Sequence, residues 1–318
     1  MKDSISIANI KNFNKNFKSN PTNKISRNAL TRSLIDNIAM DWDAYRMVDH
    51  TYSNVVSNEM KKVTNQKASG RCWGFAGLNL MRISLAEKYN LADFEFSQNY
   101  FMFFDKLEKS NYFLENILKT LDESYDSRLM MHLLDSPVQD GGQWDMFVNL
   151  IEKYGVVPQS VMAESFQSSQ SRMMNQFLTR KLREFAWVLR NMNDKGKKLS
   201  DLRKEKENMM STIYSMLCIC LGDPPTKFDW QTRDKKNKFI RKTNLTPQDF
   251  YKKHCNIDLK DKVCLIHAPM SNKKMNELYT VSYLGNVVGG QIIKYANVDI
   301  EEIKKAAIKS IKSNESVW

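Results

Sequence analysis

Apolar residues recur at helical spacing directly after a polar loop near residue 70. Phe75, Leu78, Met81 and Leu85 lie three or four positions apart, the spacing that puts side chains on one face of a helix. The preceding stretch, TNQKASGR, is polar and contains a glycine. The pattern predicts a loop that leads into an amphipathic helix, with Cys72 in the first turn of that helix.

Further helices are predicted from the same periodicity and from their end residues. Ser97 is the candidate N-cap of a helix through FSQNYFMFFDKLEKSNYFLENILKTL, and Gly155 ends a helix that follows DGGQWD. The stretches RMMNQFLTRKLREFAWVLRNM and SDLRKEKENMMSTIYSMLCICLG predict a long antiparallel helix pair. Thr246 and Pro247 are expected to begin another helix, because threonine caps helices and proline suits the first helical position.

The pattern changes to short alternating stretches after residue 260. KVCLIHA, YTVSYL and QIIKYANV predict strands, and DIEEIKKAAIKSIKS predicts a helix. Val317 and Trp318 resemble the start of another buried strand that has no partner in the remaining sequence. Helices followed by a β-rich segment predict an α+β fold.

Composition and charge narrow the class of protein. The 318 residues are 42% hydrophobic and carry a net charge of +12, with the excess spread along the chain. Neither an apolar leader nor a membrane-spanning run is present in the sequence. Five cysteines do not indicate a disulfide framework, so we expect a cytoplasmic protein that does not enter a membrane.

The position of Cys72 predicts a reactive thiol, with a plain alternative. Backbone N–H groups are unpaired at a helix N-terminus, and the positive end of the helix dipole favours the thiolate, which is the nucleophilic form. A single cysteine on a helix is otherwise a small core residue. Spacing alone leaves both interpretations open.

The residues around Cys72 resemble a known family. In NQKASGRCWGFA, Gln66 lies six positions before Cys72 and Trp73 follows it, an arrangement similar to that of the papain-like cysteine peptidases, in the form carried by bleomycin hydrolases and aminopeptidase C. DGGQWDMFVNLIEKYGVVPQS, LGDPPTKFDW, LTPQDFYKKH and YTVSYLGNVVGG also resemble stretches of that family, in the same order. The resemblance runs from about residue 40 to residue 318.

This resemblance implies a function and site residues. Cys72 would be the nucleophile that forms a thioester acyl-enzyme, and Gln66 with the backbone N–H of Cys72 would hold the oxyanion. Gly141 and Gly142 would pair with the substrate backbone, although a simple loop turn explains the two glycines equally well. The implied protein is a cytoplasmic aminopeptidase that acts on peptides, needs no metal or cofactor, and forms a homo-oligomer, a hexamer in the family.

The resemblance also implies four segments. They are an N-terminal arm (1–40), a catalytic helical lobe (41–165), a helical insertion (166–260) and the start of a β-rich lobe (261–318).

The catalytic histidine and asparagine of the family lie beyond the segment that resembles ESVW, where this chain ends. We therefore expect an incomplete N-terminal portion of the enzyme, with doubtful activity on its own. His50, His132 and His254 match no catalytic motif, and His267 is the one internal substitute worth naming.

Two other classes of function stay open from the sequence. One is a catalytically inactive family member that acts as a binding or structural subunit. The other is a basic protein that binds single-stranded nucleic acid, because the charge of +12 could attract phosphates.

Overall fold

The computed structural model describes residues 4–56, 60, 62–255 and 257–318, and the chain divides into two compact units, Met1–Val55 and Val56–Trp318. The helices of the first unit are α1 (Ile7–Ser19), α2 (Pro21–Leu30), α3 (Ile35–Ala39) and α4 (Trp42–Met47). None of these four helices contains a buried residue. The segment 1–40, predicted as an arm, is therefore largely helical.

The second unit contains the helices and strands around the candidate site. Its helices are α5 (Cys72–Tyr89), α6 (Gln98–Lys119), α7 (Arg128–Asp135), α8 (Trp144–Tyr154), α9 (Phe166–Ser169), α10 (Arg172–Asp194), α11 (Leu199–Leu221), α12 (Pro247–His254) and α13 (Ile300–Lys312). Its strands are β1 (Phe228–Arg233), β2 (Phe239–Leu245), β3 (Leu265–Ile266), β4 (Glu277–Tyr279) and β5 (Tyr295–Asn297). No helix in the described ranges is long and apolar enough to cross a membrane.

The end residues of several helices match the sequence predictions. The Ser97 side chain accepts a hydrogen bond from the backbone N–H of Tyr100 at the start of α6. Thr246 caps α12 in the same way, with Pro247 in the first turn. Gly155 ends α8 with φ of +69°, a left-handed value that glycine adopts without a steric penalty. These three predictions are confirmed. Helix caps can be predicted from the sequence because they depend on residues that are close to one another along the chain.

Helix α5 packs against α6 and α8. Its two interior glycines permit this close packing. A Cβ atom on Gly74 would overlap the ring of Phe101 in α6, and one on Gly77 would lie 2.6 Å from the ring of Phe147 in α8. Glycine weakens a helix by about 1 kcal/mol relative to alanine, and here it lets aromatic rings pack directly on the backbone.

Helices α10 and α11 form the predicted helix pair and pack on α6. Buried apolar residues line one face of each, among them Leu178, Leu182 and Leu189 in α10 and Ile213 and Leu217 in α11. The segment 166–260 is not wholly helical, however. It also contains the antiparallel hairpin of β1 and β2, which the sequence patterns did not predict.

The β-rich segment forms a small mixed sheet in the order β3-β5-β4. Strand β5 pairs in parallel with β3 and antiparallel with β4. The strand predicted through YTVSYL ends at Tyr279, because the chain turns at residues 281–284 and Tyr283 has φ of +59°. Only Tyr279 of the predicted stretch lies in β4, so that prediction was placed too far along the chain.

The last residues pack beside α5 instead of entering a strand. Val317 and Trp318 pair with no strand in the described part of the chain. The Trp318 indole Nε1 donates a hydrogen bond to the backbone oxygen of Trp73 (3.0 Å), and its ring meets the ring of Trp144 edge to face. The division of the chain at residues 40, 165 and 260 stays a prediction.

Candidate active site

Cys72 is the first residue of α5, and its side chain is exposed. The preceding residue, Arg71, caps the helix without a side-chain hydrogen bond. On either side, Arg71 and Trp73 are buried. A thiol thus projects into solvent at the positive end of a helix, between two residues that anchor the backbone.

The loop before Cys72 is fixed by an ion pair between the buried Arg71 and the partly buried Glu164. The Arg71 guanidinium donates two hydrogen bonds to Glu164 (3.0 and 2.7 Å) and a third to the Ser69 hydroxyl (2.9 Å). The Ser69 hydroxyl in turn donates to the backbone oxygen of Gln66 (2.7 Å). Bidentate arginine–carboxylate pairs are strong and directional, so this chain of contacts sets the course of residues 66–71.

The side-chain amide of Gln66 has a free donor. Its Oε1 atom is buried without a hydrogen-bond partner. Its Nε2 atom is not among the buried unpartnered atoms and donates to no group in the described residues, so it contacts solvent. As assigned, the amide presents an N–H donor to the open side, in the loop that leads to Cys72.

The segment Asp140–Gly142 is joined to this loop. Asp140 accepts hydrogen bonds from the backbone N–H of Gly70 (2.9 Å) and from Lys106 Nζ (2.6 Å). Its backbone oxygen accepts one from Trp73 Nε1 (2.6 Å). One aspartate therefore holds residues on both sides of Cys72.

The two glycines of this segment have different environments. A Cβ atom on Gly142 would lie 2.6 Å from the Trp73 ring, whereas one on Gly141 would meet nothing within 4 Å. Gly142 thus needs to be glycine because the indole packs against its backbone. The backbone of Gly141 is open to solvent, as the approach of another chain requires.

Asp140 and Lys106 form a largely buried ion pair that is joined to the loop before Cys72 through Gly70. Burial acts to raise the pKa of Asp140, but the Lys106 ammonium and two further donors outweigh it and hold that pKa well below its usual range. Burial and the nearby Lys109 ammonium lower the pKa of Lys106 to about 8. Both groups are therefore charged at neutral pH.

No histidine in the described residues forms a hydrogen bond with Cys72. His254 bonds to the hydroxyl of Tyr89, and His267 Nδ1 lies 3.1 Å from the backbone oxygen of Val298. His50 and His132 are exposed. The structure thus brings Gln66, the diglycine and Cys72 into one connected region, and it brings no histidine into contact with the thiol.

The charged residues that hold the site were not identified from the sequence. They are Arg71, Lys106, Lys109, Asp140 and Glu164. One signal was available, because Lys106 lies three residues after Phe103 and seven before Phe113, on the apolar face of α6. Within the described chain, no cluster of histidine, cysteine or acidic residues could hold a metal ion.

Comparison with known proteins gives several matches along the whole chain. Aminopeptidase C of Listeria monocytogenes serovar 1/2a is 44% identical over 318 residues, which are all of this chain and 71% of that protein. Human bleomycin hydrolase is 41% identical over 292 residues, 91% of this chain and 64% of that protein. The chain therefore spans roughly two thirds of the length of these relatives.

A solved structure has the same fold. The crystal structure of PepW from Lactobacillus rhamnosis HN001 matches with a TM-score of 0.93 at 42% identity, over 99% of this chain and 70% of that one. This match confirms the predicted α+β, papain-like fold. The matched relatives confirm the predicted class of enzyme, a cysteine peptidase of the aminopeptidase type.

The family model that describes the peptidase C1-like family matches residues 4–318, almost the entire chain. The resemblance seen around Cys72 therefore extends to the whole sequence. The chain belongs to the peptidase C1-like family, with aminopeptidase C and bleomycin hydrolase among its relatives.

Proposed function

We propose that Cys72 is the nucleophile of a thiol aminopeptidase that removes residues from the N-termini of peptides. The observation that carries the proposal is the exposed thiol at the start of α5, in a region where hydrogen bonds connect Gly70 to Asp140, next to the diglycine, and Arg71 through Ser69 to Gln66. The proposed reaction class is that of the family, and the proposed reacting residues are those of the site described above.

The proposed reaction has two steps. Cys72 Sγ attacks the carbonyl carbon of the first peptide bond, a C–S bond forms, and the C–N bond breaks as the leaving amine takes up a proton. Water then adds to the thioester, and the C–S bond breaks to release the amino acid and restore the thiol. The proton transfers need an imidazole base, and we assign that role to no histidine of this chain.

Gln66 and the backbone N–H of Cys72 are the proposed oxyanion donors. Negative charge develops on the carbonyl oxygen during attack, and a fixed donor stabilises it more than it stabilises the neutral substrate. One such donor is worth about 3 kcal/mol in the activation barrier. The diglycine Gly141–Gly142 would pair with the backbone of the bound peptide.

The labelling rates of the five cysteines test this proposal. Cys255 is buried, and burial raises the pKa of the Cys220, Cys255 and Cys264 thiols. Cys72 alone among the described cysteines is exposed, so we expect iodoacetamide to alkylate it faster than the other four. Mass spectrometry after brief labelling measures the order, and equal labelling of Cys72 and Cys218 would contradict the proposal.

Other features of the proposal rest on the family. We propose a cytosolic location, in agreement with five free cysteines, and a homo-oligomer in solution. The alternative of binding to single-stranded nucleic acid has a separate test, since the affinity for an oligonucleotide should then fall steeply with added salt.

A further inference from the structure

Lys109 is a buried lysine of α6 whose three ammonium hydrogens are all accounted for. Its Nζ donates to Asp105 Oδ2 (2.7 Å), to the backbone oxygen of Gln139 (2.8 Å) and to the backbone oxygen of Gly141 (2.7 Å). The ammonium also lies 5.2 Å from the centre of the Trp73 ring. The residue is 4% exposed, so it does not serve as a surface charge.

The contact with Gly141 determines which way the next peptide group faces. The described chain has no cis peptide bonds, and in a trans peptide the C=O and the following N–H point in opposite directions. Because the Gly141 oxygen is drawn inward to Lys109, the N–H of Gly142 points away from the buried ammonium. That N–H donates to no group in the part of the chain that the structure describes.

We propose that Lys109 is a positioning residue that fixes the Gly141–Gly142 peptide so that the Gly142 N–H can donate to a backbone carbonyl of the bound peptide. The inference rests on the proposed function, which it deepens by naming the group that orients the substrate-binding loop. Lys109 acts on the binding of peptides and leaves the intrinsic reactivity of Cys72 unchanged.

An ammonium is well suited to this position. Two backbone oxygens of one loop converge on Lys109 Nζ, and hydrogen bonds from a charged donor are stronger than those between neutral groups. Without the lysine, both oxygens would be left without this buried partner, and the loop could rotate its peptide groups toward solvent. The neighbouring Lys106 binds Val138 and Asp140 instead, so the two lysines hold different parts of the same loop.

The test compares two reagents that share a chloroacetamide group. The dipeptidyl reagent, an N-chloroacetyl dipeptide amide, carries its backbone carbonyls on the leaving-group side, as does a peptide that is cut at its first bond, and can use the Gly142 N–H. Chloroacetamide has no peptide backbone. The ratio of their rate constants for alkylation of Cys72 isolates the benefit of backbone binding. We expect Lys109→Met to lower this ratio about tenfold, the value of one hydrogen bond, while the rate constant for chloroacetamide changes less than twofold.

A second variant guards against misfolding. Lys109→Met alone leaves Asp105 buried without its partner, so the double variant Asp105→Leu with Lys109→Met replaces the pair by apolar groups, which a folded core tolerates. Lys206→Met is the matched control, because Lys206 is a largely buried lysine that binds Asn111 and Glu115 on α6 and does not contact the loop. Circular dichroism verifies that each variant is folded.

The outcomes separate the two proposals. A lower ratio in the folded double variant, with the chloroacetamide rate constant unaffected and the ratio of Lys206→Met unchanged, supports the role of Lys109. An unchanged ratio, or an equal fall in both rate constants, overturns that role and leaves Cys72 as the proposed nucleophile. If the unmutated chain shows no preference for the dipeptidyl reagent, the proposed substrate loop is wrong, and the inference falls with it.

Discussion

At the scale of single residues, the reactive part of the site is exposed and its supports are buried. Cys72 and Gly141 are exposed, whereas Arg71, Lys106 and Lys109 are buried and paired with acidic groups or backbone oxygens. Removing one partner of a buried pair is costly because the other charge stays desolvated. Stability and reactivity should therefore depend on different residues.

Cys72→Ser and Gln66→Ala test this separation. We expect each to change the free energy of unfolding by less than about 0.5 kcal/mol, because the thiol is exposed and no described group bonds to the Gln66 amide. Ser69→Ala is the control, since the buried Ser69 hydroxyl connects Gln66 to Arg71, and its loss should cost about 1–2 kcal/mol. Urea unfolding measures all three, and a loss of several kcal/mol for Cys72→Ser would indicate a structural thiol.

The pH dependence of stability should reveal Asp140. The folded chain holds the pKa of this carboxyl below its usual range, so its stabilising contribution is complete above the unfolded pKa of about 3.9 and is lost as the pH falls below it. Asp140→Asn should be less stable at pH 7 by about 3 kcal/mol, because Lys106 stays buried without its carboxylate.

The difference between Asp140→Asn and the unmutated chain should then narrow as the pH falls from 5 to 2, because the Asp140 carboxyl takes up a proton in the unfolded chain at a higher pH than it does in the folded chain. Asp122→Asn, at an exposed aspartate that forms no ion pair with any described residue, serves as the control. Urea titrations across this range give the free energies. If the difference in the free energy of unfolding stays constant with pH, Asp140 stabilises the fold through its packing and not through its charge.

The sequence indicated the exposed residues of the site better than the buried ones. Cys72 and Gln66 are six positions apart in one stretch of the sequence, so a local sequence pattern is enough to identify them. Asp140 reaches Gly70 across 70 positions, and Arg71 reaches Glu164 across 93. Ion pairs between distant segments leave no periodic signal, so they could not be predicted before the fold was known.

At the scale of elements, local chemistry decided which predictions succeeded. The caps Ser97 and Thr246 bond to residues three positions away, and both were predicted. The β1–β2 hairpin was missed because its turn lacks an Asn-Gly or Asp-Gly pair and runs through Asn237, which has φ of +63°. Strands β3, β4 and β5 have only two or three residues each, and pairing between distant segments defines them.

The glycines of α5 give a prediction about element packing. Gly77→Ala places a methyl group 2.6 Å from the fully buried Phe147 ring, so α8 must move although alanine is the better helix former. We expect a loss of about 1–3 kcal/mol from this overpacking, measured by thermal unfolding. Gly141→Ala, whose methyl group meets open space, should leave stability almost unchanged. A more stable Gly77→Ala variant would show that α5 and α8 pack less tightly than described.

At the scale of the whole molecule, the hydrophobic core belongs to the second unit. The buried apolar cluster runs from Met60 to Ile293, whereas helices α1–α4 bury no residue. Ile7, Ile10, Phe13 and Phe17 recur along α1 and are all exposed. An exposed apolar stripe of this kind is typical of a surface that meets another chain.

Removal of residues 1–55 should therefore affect assembly more than folding. We expect the shortened chain to unfold within about 2 °C of the full chain, because the core that sets the transition is retained. By light scattering it should contain fewer copies per particle than the homo-oligomer that we propose for residues 1–318. Replacing Ile7, Phe13 and Phe17 by serine in the full chain should lower the mass in the same way, and serine at exposed Lys11, Lys15 and Lys18 is the matched control. If neither the shortened chain nor the chain with serine at Ile7, Phe13 and Phe17 forms a smaller assembly, the association belongs to the second unit. A large fall in the unfolding temperature of the shortened chain would show that residues 1–55 contribute to the core.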